Sequence, residues 1–333
     1  MWLVVYTIAM TQDRKKMLIV IGGLVAAGIV AFAVFGMKPQ ESKVGVIPPF
    51  AEEQPAVPEP TLPTPPLVVP EKVPEEGPKE DQEYYFYTMK SADAAVELEK
   101  LVGLENVLAV LQTNRIDATH IKSGAKIVIP VSFDSATRSP FPLEVAELSE
   151  VKKLLLISQR IQAFGVYESG KLVRWGPVST GKQSTQTPSK LFSTNWKGKE
   201  VKSSFDDEWI LKFNFNLDNT EGVGFHQYEM PGYPASHSCV RMLMDDAMWL
   251  YDWADQWILT ENEQSRYAHG TPVVIFGQYG FGKTAPWKLL PEDADATDIT
   301  EDEMKEIVGS YLDTIMERQS KREAYIESLT VGN

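Results

Sequence analysis

The most apolar stretch of the chain is an uninterrupted run from Met17 to Met37 that contains no charged residue. As a helix, this run would be about 30 Å long, which matches the hydrocarbon core of a membrane. Basic residues 14–16 precede it, so we expect residues 1–16 to lie in the cytoplasm and the rest of the chain outside. The pattern therefore predicts a transmembrane anchor over 17–37. A cleaved signal peptide is the alternative, because residues 31–33 read Ala-Phe-Ala.

Residues 38–83 change abruptly in composition. Twelve of the 22 prolines of the chain lie between Pro39 and Pro78, mixed with Glu, Val and Lys. Proline has no N–H donor and restricts the residue before it, so this segment is unsuited to helices and strand ladders. We interpret it as a semi-rigid linker that could reach on the order of 100 Å beyond the membrane.

Residues 84–133 combine helical periodicity with a short apolar strand. Leucines and valines recur at helical spacing from residue 94 onward. They are followed by Asn-Arg-Ile-Asp at 114–117, a glycine turn, and Ile-Val-Ile-Pro at 127–130. This resembles the second half of a LysM repeat, a peptidoglycan-binding module of strand–helix–helix–strand order, whereas residues 85–93 match its first half poorly. We interpret the segment as a small α/β LysM-like module, and both glycan binding and simple packing stay open as its role.

Short strand patterns separated by turns dominate residues 150–278. Apolar runs and alternating patterns predict strands at 154–157, 160–167, 172–175, 209–215, 222–226 and 271–276. One helix is predicted from Asp245 to Trp257, where Trp249, Trp253 and Trp257 recur every four residues. We interpret this stripe as core packing. The region is therefore expected to be a mostly β domain with one helix.

The acidic segment 283–333 is predicted to be a helical tail. Residues 300–303 read Thr-Glu-Asp-Glu, a capping box that would open an amphipathic helix over about 301–329. Its apolar positions, from Met304 to Ile315, lie on one face. We expect this face to pack against the body of the protein or against a partner.

The net charge and the cysteine content limit the partners and the covalent crosslinks that this chain can have. The net charge of −14 argues against nucleic acid or anionic lipid as a partner, because both require clustered Lys and Arg. The chain has one cysteine, so an intrachain disulfide is impossible and a free thiol is present.

The candidate chemistry lies around Cys239, in the string Ser-His-Ser-Cys-Val-Arg-Met at 236–242. A thiol needs a neighbouring base to become a thiolate, which is the nucleophilic form. Both His237 and His226, two of the four histidines, lie nearby in sequence. The alternative is that Cys239 is simply a small buried apolar residue.

Five strings in the same order carry a family resemblance. They are Gln-Ala-Phe-Gly-Val-Tyr at 162–167, Val-Ser-Thr-Gly-Lys at 178–182, Thr-Pro-Ser-Lys-Leu-Phe at 187–192, Gly-Phe-His at 224–226, and the cysteine string at 236–242. Together they resemble the L,D-transpeptidase catalytic domain of the YkuD type. The resemblance implies an L,D-transpeptidase-like β-sandwich with one helix over residues 150–278.

The resemblance also implies roles for individual residues. Cys239 would be the nucleophile, His226 the general base, and the Gln227 carbonyl the group that orients the imidazole. His237 and Ser238 would shape the site, and Arg241 would bind an anionic group of the substrate. Backbone N–H groups around Cys239 are the expected oxyanion donors.

Two positions depart from the family strings. Ser238 stands where the family usually has Gly, and Ser189 replaces another family Gly. If the backbone at Ser238 has a positive φ, serine strains the loop by about 1 kcal/mol or more.

A zinc site is the other chemistry that these residues allow. His226, His237, Cys239 and His269 could supply four ligands. However, His237 and Cys239 are tightly spaced, and His269 lies in a loop before the last strand, so we expect neither a metal nor a cofactor. His120 and His269 are interpreted as ordinary histidines.

The resulting hypothesis is a single-pass inner-membrane enzyme whose catalytic domain faces the periplasm or wall space. The resemblance implies a cysteine acyl-enzyme formed with a peptidoglycan stem peptide, then transfer to an amine acceptor, giving a 3–3 crosslink or a protein attachment. An L,D-carboxypeptidase or hydrolase of the same fold is an alternative, as is a catalytically degenerate scaffold that binds the wall.

Overall fold

The computed structural model describes residues 78–79, 81–203 and 209–331. The predicted cytoplasmic segment 1–16, the predicted anchor 17–37 and nearly all of the predicted linker 38–83 lie outside the described residues. Within the described residues, no helix has both the length and the apolar composition that a membrane span requires.

The segment after the linker folds as a module of two strands around two helices, which we call the N-terminal module. Its elements are β1 (Tyr84–Thr88), α1 (Ala94–Val102), α2 (Val107–Asn114) and β2 (Lys126–Pro130). The two strands pair antiparallel, with Tyr84 opposite Pro130. Asp93 is the N-cap of α1, and its side chain accepts a hydrogen bond from the Val96 N–H at 3.3 Å. A first strand therefore forms at residues that match the LysM opening poorly.

The strands of the second region form the β domain, with one helix inserted before its last strands. The elements are β3 (Leu154–Ser158), β4 (Ala163–Glu168), β5 (Lys171–Ser179), β6 (Leu191–Ser193), β7 (Lys197–Lys202), β8 (Ile210–Asp218), β9 (Val223–Gln227), β10 (Val240–Met242), α3 (Met244–Trp253), β11 (Ile258–Leu259), β12 (Arg266–Ala268) and β13 (Pro272–Phe276). Nine strands make one sheet in the order β6-β13-β3-β4-β5-β10-β9-β8-β7, and β11 pairs with β12 separately.

The expected sandwich is built from this one sheet, which curls on itself. The chain leaving β6 reaches β8, where the Asn195 N–H donates to Asn216 O at 2.8 Å and the Asn216 N–H donates to Trp196 O at 2.9 Å. One face of the sheet packs around α3, through buried residues such as Phe215, Phe225 and Leu250. Two apolar cores therefore lie on opposite faces of the same sheet.

The second core is covered by the C-terminal tail. The tail forms two helices, α4 (Glu301–Gly309) and α5 (Leu312–Val331), in place of the single helix expected. The Thr300 side chain accepts a hydrogen bond from the Glu303 N–H at 3.1 Å, as the capping box predicts. Met304, Val308 and Ile315 are buried against the β domain, so the apolar face packs on the body of the protein.

The helix α3 is shorter than its tryptophan spacing predicts. It ends at Trp253, because the backbone at Ala254 is extended. Trp249 and Trp253 stack at 5.5 Å between ring centroids and pack against the first core. Trp257 lies beyond the helix, so only the first two members of the stripe act as expected.

The N-terminal module packs against the β domain through its 114–117 turn. Arg115 is buried there, and its Nε donates to Ile161 O at 2.9 Å. Its guanidinium lies 5.9 Å from the Trp175 ring centroid and 5.5 Å from that of Trp287. Burial lowers the pKa of Arg115 to about 9. This residue of the LysM-like string therefore serves an interface within the chain.

Candidate active site

The candidate site lies where β9 and β10 run side by side in parallel. Val240 pairs with Phe225, and Arg241 pairs with His226. Because side chains alternate along a strand, Val240 and Phe225 enter the core while Arg241 and His226 lie on the opposite face. Cys239 immediately precedes β10, at the end of the loop that leads into this strand. The fold thus places the candidate base and the anion-binding residue on neighbouring strands, with the candidate nucleophile at the start of one of them.

The imidazole of His226 is held in one tautomer. Its Nδ1 lies 3.0 Å from Gln227 O, and a carbonyl can only accept, so Nδ1 carries the hydrogen and Nε2 keeps its lone pair. Burial lowers the pKa of His226 to about 4, and the positive charge of Arg241 acts in the same direction. The ring is therefore neutral at pH 7, as a general base must be before it accepts a proton.

The thiol of Cys239 lies against the backbone of the β8–β9 turn. Its Sγ donates to Gly222 O at 3.3 Å. Burial raises the pKa of this thiol, while a hydrogen bond with the Gly224 backbone and the charge of Arg241 act in the opposite direction. A Cβ at Gly224 would come within 2.9 Å of Phe215 O, so only glycine lets the strands approach this closely. In the resting site both the Cys239 thiol and the His226 imidazole are therefore neutral at pH 7.

This neutral pair predicts how Cys239 responds to pH. Since the thiolate is the reactive form and burial raises the thiol pKa, alkylation should be slow at neutral pH. The rate should keep rising up to at least the ordinary thiol pKa of 9.0. Iodoacetamide alkylation of the full chain, followed by mass spectrometry across pH, measures this profile. A plateau reached below neutral pH would instead indicate a resting thiolate–imidazolium pair.

The loop before Cys239 is fixed by two hydroxyl side chains. Ser236 Oγ donates to Cys239 O. Thr187 Oγ1 donates to Ser238 O at 2.8 Å and accepts from the Gly181 N–H at 2.9 Å. Thr187 and Gly181 belong to the strings at 187–192 and 178–182, so these strings support the nucleophile loop from the side.

The two serines that replace family glycines differ in conformation. Ser238 has a φ of 85°, a region that favours glycine, whereas Ser189 is not among the residues with positive φ. The Ser189 hydroxyl also makes hydrogen bonds, donating to Gly277 O at 3.1 Å and accepting from Gln159 Nε2 at 2.8 Å. Only Ser238 therefore strains its backbone.

A pair of substitutions tests this difference. Ser238→Gly should raise the free energy of unfolding by up to about 1 kcal/mol, because glycine relieves the positive φ. Ser189→Gly should lower it, because two hydrogen bonds are lost without relief of strain. Urea unfolding of both variants measures the two changes. Equal changes of the same sign would show that the φ of Ser238 carries no strain.

An aromatic wall borders the site. The Trp209 ring lies 5.4 Å from that of His237 and 6.2 Å from that of Tyr228, between centroids. Tyr228 in turn lies 6.0 Å from the His226 ring, and the Arg241 guanidinium lies 4.6 Å from the Tyr228 ring centroid. The His237 ring thus packs near Trp209. The Arg241 guanidinium is held by a cation–π contact with the Tyr228 ring.

The structure does not assemble the four residues of the zinc alternative. In the part of the chain that is described, no three His, Cys, Asp or Glu side chains are grouped so that they could hold a metal ion. His269 lines a separate cleft with Arg318, and His120 hydrogen-bonds Asp117 at 2.9 Å.

Several residues of the site carried no role in the sequence analysis. Ser236 and Thr187 lie within the quoted strings, which is the signal that could have identified them. Trp209 and Tyr228 lie outside the quoted strings, and their position becomes apparent only when β8 and β9 pair.

Comparison with known proteins matches one region of the chain to a family model. Residues 152–275 match the YkuD model, described as the L,D-transpeptidase catalytic domain. The matched residues include the string around Cys239 and the strand of His226. No curated protein sequence matches the chain.

Among solved structures, the chain is similar to several L,D-transpeptidases. The enzyme from Mycobacterium smegmatis aligns at 20% identity over 38% of this chain and 59% of its own, with a TM-score of 0.30. An enzyme from Stackebrandtia nassauensis aligns at 21% identity over 56% and 77%, with a TM-score of 0.33. An enzyme from Enterococcus faecium aligns at 20% identity over 38% and 50%, with a TM-score of 0.30. This chain thus spans less than two thirds of the first and third of these proteins.

Proposed function

We propose that the chain is a peptidoglycan L,D-transpeptidase that works through a Cys239 acyl-enzyme. The observation that carries this proposal is the juxtaposition of β9 and β10. Strand β9 carries the His226 ring, which the Gln227 carbonyl orients, and Cys239 immediately precedes the paired strand β10 in a region that matches the family model. This arrangement of nucleophile, base and orienting group is the one that cysteine acyl transfer requires.

The proposed acylation begins from the neutral pair. The Cys239 sulfur attacks the carbonyl of the third stem residue, a diaminopimelate, while its proton passes to His226 Nε2. Backbone N–H groups around Cys239 stabilise the oxyanion of the tetrahedral intermediate. The terminal D-Ala then leaves as the amine, taking the proton from His226, and a thioester remains on the enzyme.

The second half-reaction regenerates the thiol. An acceptor amine attacks the thioester carbonyl, His226 accepts its proton, and the carbon–sulfur bond breaks as the proton returns to the sulfur. Another stem peptide as acceptor gives a 3–3 crosslink, a protein lysine gives wall attachment, and water gives carboxypeptidase activity. Arg241, braced against Tyr228, would bind a substrate carboxylate.

The location of this activity is proposed from the sequence. We place the chain in the inner membrane through residues 17–37, with the catalytic domain in the periplasm or wall space at the end of the linker 38–83. The apolar run and its flanking charges support this placement. The strand–helix–helix–strand order of the N-terminal module supports a LysM-like contact with wall glycan through residues 84–133.

The test supplies the full chain with a diaminopimelate-containing tetrapeptide stem and follows D-Ala release and products by mass spectrometry. Release of D-Ala with a new crosslinked dimer, both absent in Cys239→Ala, is the expected result. Release of D-Ala with tripeptide alone would support the carboxypeptidase alternative. No release, from a chain that is folded, would leave the wall-binding scaffold as the better hypothesis.

A further inference from the structure

The N-terminal module holds the loop that leads to the nucleophile. The loop 228–235 connects the end of β9 to Ser236, so it begins beside the carbonyl that orients His226 and ends at the hydroxyl bonded to Cys239 O. We propose that Asp117, in the module, is a positioning residue that fixes this loop for acyl transfer. The inference rests on the proposed function.

The contact between module and loop is made by both the backbone and the carboxylate of Asp117. Its Oδ2 accepts from the Met230 N–H at 2.7 Å, and its own N–H donates to Met230 O at 3.0 Å. Ile116 and Pro231 form an antiparallel bridge beside this pair. The Met230 side chain is fully buried, so the first part of the loop is fixed in position.

Hydrogen bonds within the module also hold the Asp117 carboxylate in position. Its Oδ1 accepts from the Thr119 N–H at 2.8 Å and from Thr119 Oγ1 at 2.6 Å, and His120 Nδ1 lies 2.9 Å away. Burial alone would raise the pKa of Asp117, but the hydrogen bonds from Thr119 and Met230 outweigh it and lower the pKa. The group is ionised at pH 7, and hydrogen bonds to an ionised acceptor are among the stronger ones.

The far end of the loop is held by the β domain. Ser179 Oγ donates to Tyr233 O at 2.7 Å and accepts from the Ala235 N–H at 3.1 Å. A Cβ at Gly232 would lie 3.0 Å from Ile116 Cγ2, so the loop and the module are in close contact between the two anchors. Loss of the Asp117 carboxylate therefore leaves the half of the loop near Tyr228 and His226 held by backbone contacts alone, and we expect it to move more.

The experiment compares three variants of the full chain. Asp117→Ala removes the contacts of the carboxylate with Met230, Thr119 and His120. Asp117→Asn keeps an oxygen that can accept from the Met230 N–H. Asp93→Asn is the matched control, because Asp93 caps α1 in the same module and does not contact the loop. The readouts are the rate of acylation by a carbapenem, the rate of Cys239 alkylation, and amide exchange at Met230.

We expect Asp117→Ala to acylate at least about tenfold more slowly, because small displacements of reacting groups are costly, with faster exchange at Met230. Asp117→Asn should recover much of the rate, and Asp93→Asn should match the wild type. An unchanged acylation rate despite faster Met230 exchange would overturn the proposal, as would an equal loss in Asp93→Asn. If the wild type itself is not acylated, the proposed function fails. Met230 exchange and Cys239 alkylation then still decide whether Asp117 positions the loop.

A second inference concerns a basic cleft on the other side of the β8–β9 turn. The cleft has a volume of about 420 Å³, and Lys190, Arg266 and Arg318 line it with cationic side chains. His269 also lines it and is neutral at pH 7, because burial and the neighbouring arginines lower its pKa to about 4. Arg318 comes from α5, outside the residues that match the family model. We infer that the cleft binds an oxyanion, either a carboxylate or a phosphate.

The charge balance of the cleft favours an anionic ligand. The carboxylates at or near the cleft are paired with lysines. Glu317 pairs with Lys321 at 2.5 Å, whereas Glu221 and the lining residue Asp218 lie 2.7 and 3.7 Å from Lys190. Among the described residues, the charge without a carboxylate partner is therefore that of the two arginines. Arg318 Nη1 instead donates to the neutral Ser193 Oγ at 3.0 Å. The mutual repulsion of Arg266 and Arg318 adds to burial in lowering the pKa of Arg318.

Two further observations point to a bound group close to the reaction. His269 Nδ1 is buried and has no hydrogen-bond partner among the described residues. Residues 218–220, at the end of β8 and the start of the turn to β9, line the cleft. The backbone carbonyls of the next two residues accept hydrogen bonds from the nucleophile loop, Glu221 O from Ser238 Oγ and Gly222 O from Cys239 Sγ. An oxyanion in the cleft would thus sit behind the turn that supports the nucleophile.

Calorimetric titration of the full chain, carrying Cys239→Ala to prevent acylation, tests this site. The probes are inorganic phosphate and a diaminopimelate-containing tripeptide. We expect saturable binding of at least one probe, weakened about tenfold or more by Arg318→Gln or Arg266→Gln. Lys305→Gln removes the same charge from α4, where Lys305 pairs with Glu147 outside the cleft, and should leave binding unchanged.

Comparing the two probes identifies which kind of ligand supplies the oxyanion. Binding of the tripeptide indicates a stem-peptide carboxylate, and binding of phosphate alone indicates a phosphate-bearing ligand. Absence of saturable binding of both probes up to about 10 mM would overturn the inference, since such affinity is close to none. An equal loss in Lys305→Gln would overturn it as well, because net charge rather than a site would then explain binding.

Discussion

Replacing His226 with glutamine is expected to lower the rate of acylation at Cys239 by about 10²–10⁴-fold, the usual contribution of a positioned general base. Glutamine preserves the approximate size of the side chain but cannot accept the thiol proton. Burial keeps His226 neutral, and its Nδ1–H is directed to Gln227 O, so Nε2 is the acceptor that this substitution removes. Stopped-flow or quenched-flow mass spectrometry with a carbapenem measures the rate.

His237→Gln is the matched control for this prediction. His237 is also next to the nucleophile, but its ring packs near Trp209, whereas the carbonyl of Gln227 orients the ring of His226. We expect this substitution to slow acylation by less than about tenfold, as loss of a packing contact near a site would. Comparable losses in the two variants, or a His226→Gln rate near that of the wild type, would contradict the assignment of the base.

Replacing Arg174 with methionine is expected to lower the free energy of unfolding by about 2–3 kcal/mol at neutral pH. Arg174 Nη2 and Nε contact Asp246 Oδ1 at 2.7 and 2.9 Å, and the Asp246 side chain is 3% exposed. Without the guanidinium, the carboxylate is left buried and unpaired. Because the Arg174 side chain is 27% exposed, solvent moderates the loss.

The pH dependence of this loss follows from the Asp246 carboxyl. Burial raises its pKa to about 6 even with Arg174 present, so the folded state holds a proton that the unfolded state releases above its ordinary pKa of 3.8. Stability therefore falls as pH rises from about 4 to 6, and loss of Arg174 extends this fall to higher pH. Urea unfolding at about pH 4.5 and 7.5 should show a smaller deficit at the lower pH.

The double variant Arg174→Met with Asp246→Asn serves as the control, because a neutral amide has no charge to leave unpaired. It should recover much of the stability lost at neutral pH. An equal deficit at both pH values, or no recovery in the double variant, would show that the salt bridge does not set the stability of this region.

Local sequence patterns were sufficient to predict the candidate site residues and several strands. Cys239, His226 and Arg241 could be singled out before the fold was known, because their strings are short and ordered. Strands at 154–157 and 271–276 followed from continuous apolar runs, and the start of α4 followed from its capping box. These are local signals, and the fold realises them with boundary shifts of a few residues.

Features that depend on distant contacts could not be predicted in this way. The bond from Thr187 to Ser238 O spans 51 residues, and that from the Met230 N–H to Asp117 spans 113. The neutral state of Cys239 follows from burial, which a string of residues does not encode. The position of Trp257 depended on where α3 ends, and the division of the tail depended on a break between α4 and α5.

The most direct test of the central claim is the intact mass of the full chain after incubation with a carbapenem, beside the Cys239→Ala variant. We predict a mass increase of one drug molecule in the wild type and none in the variant, because an activated cysteine opens the lactam to an acyl-enzyme. No adduct on a folded wild type whose Cys239 still reacts with iodoacetamide would contradict it, since the thiol would then be accessible but the acyl-transfer site not assembled.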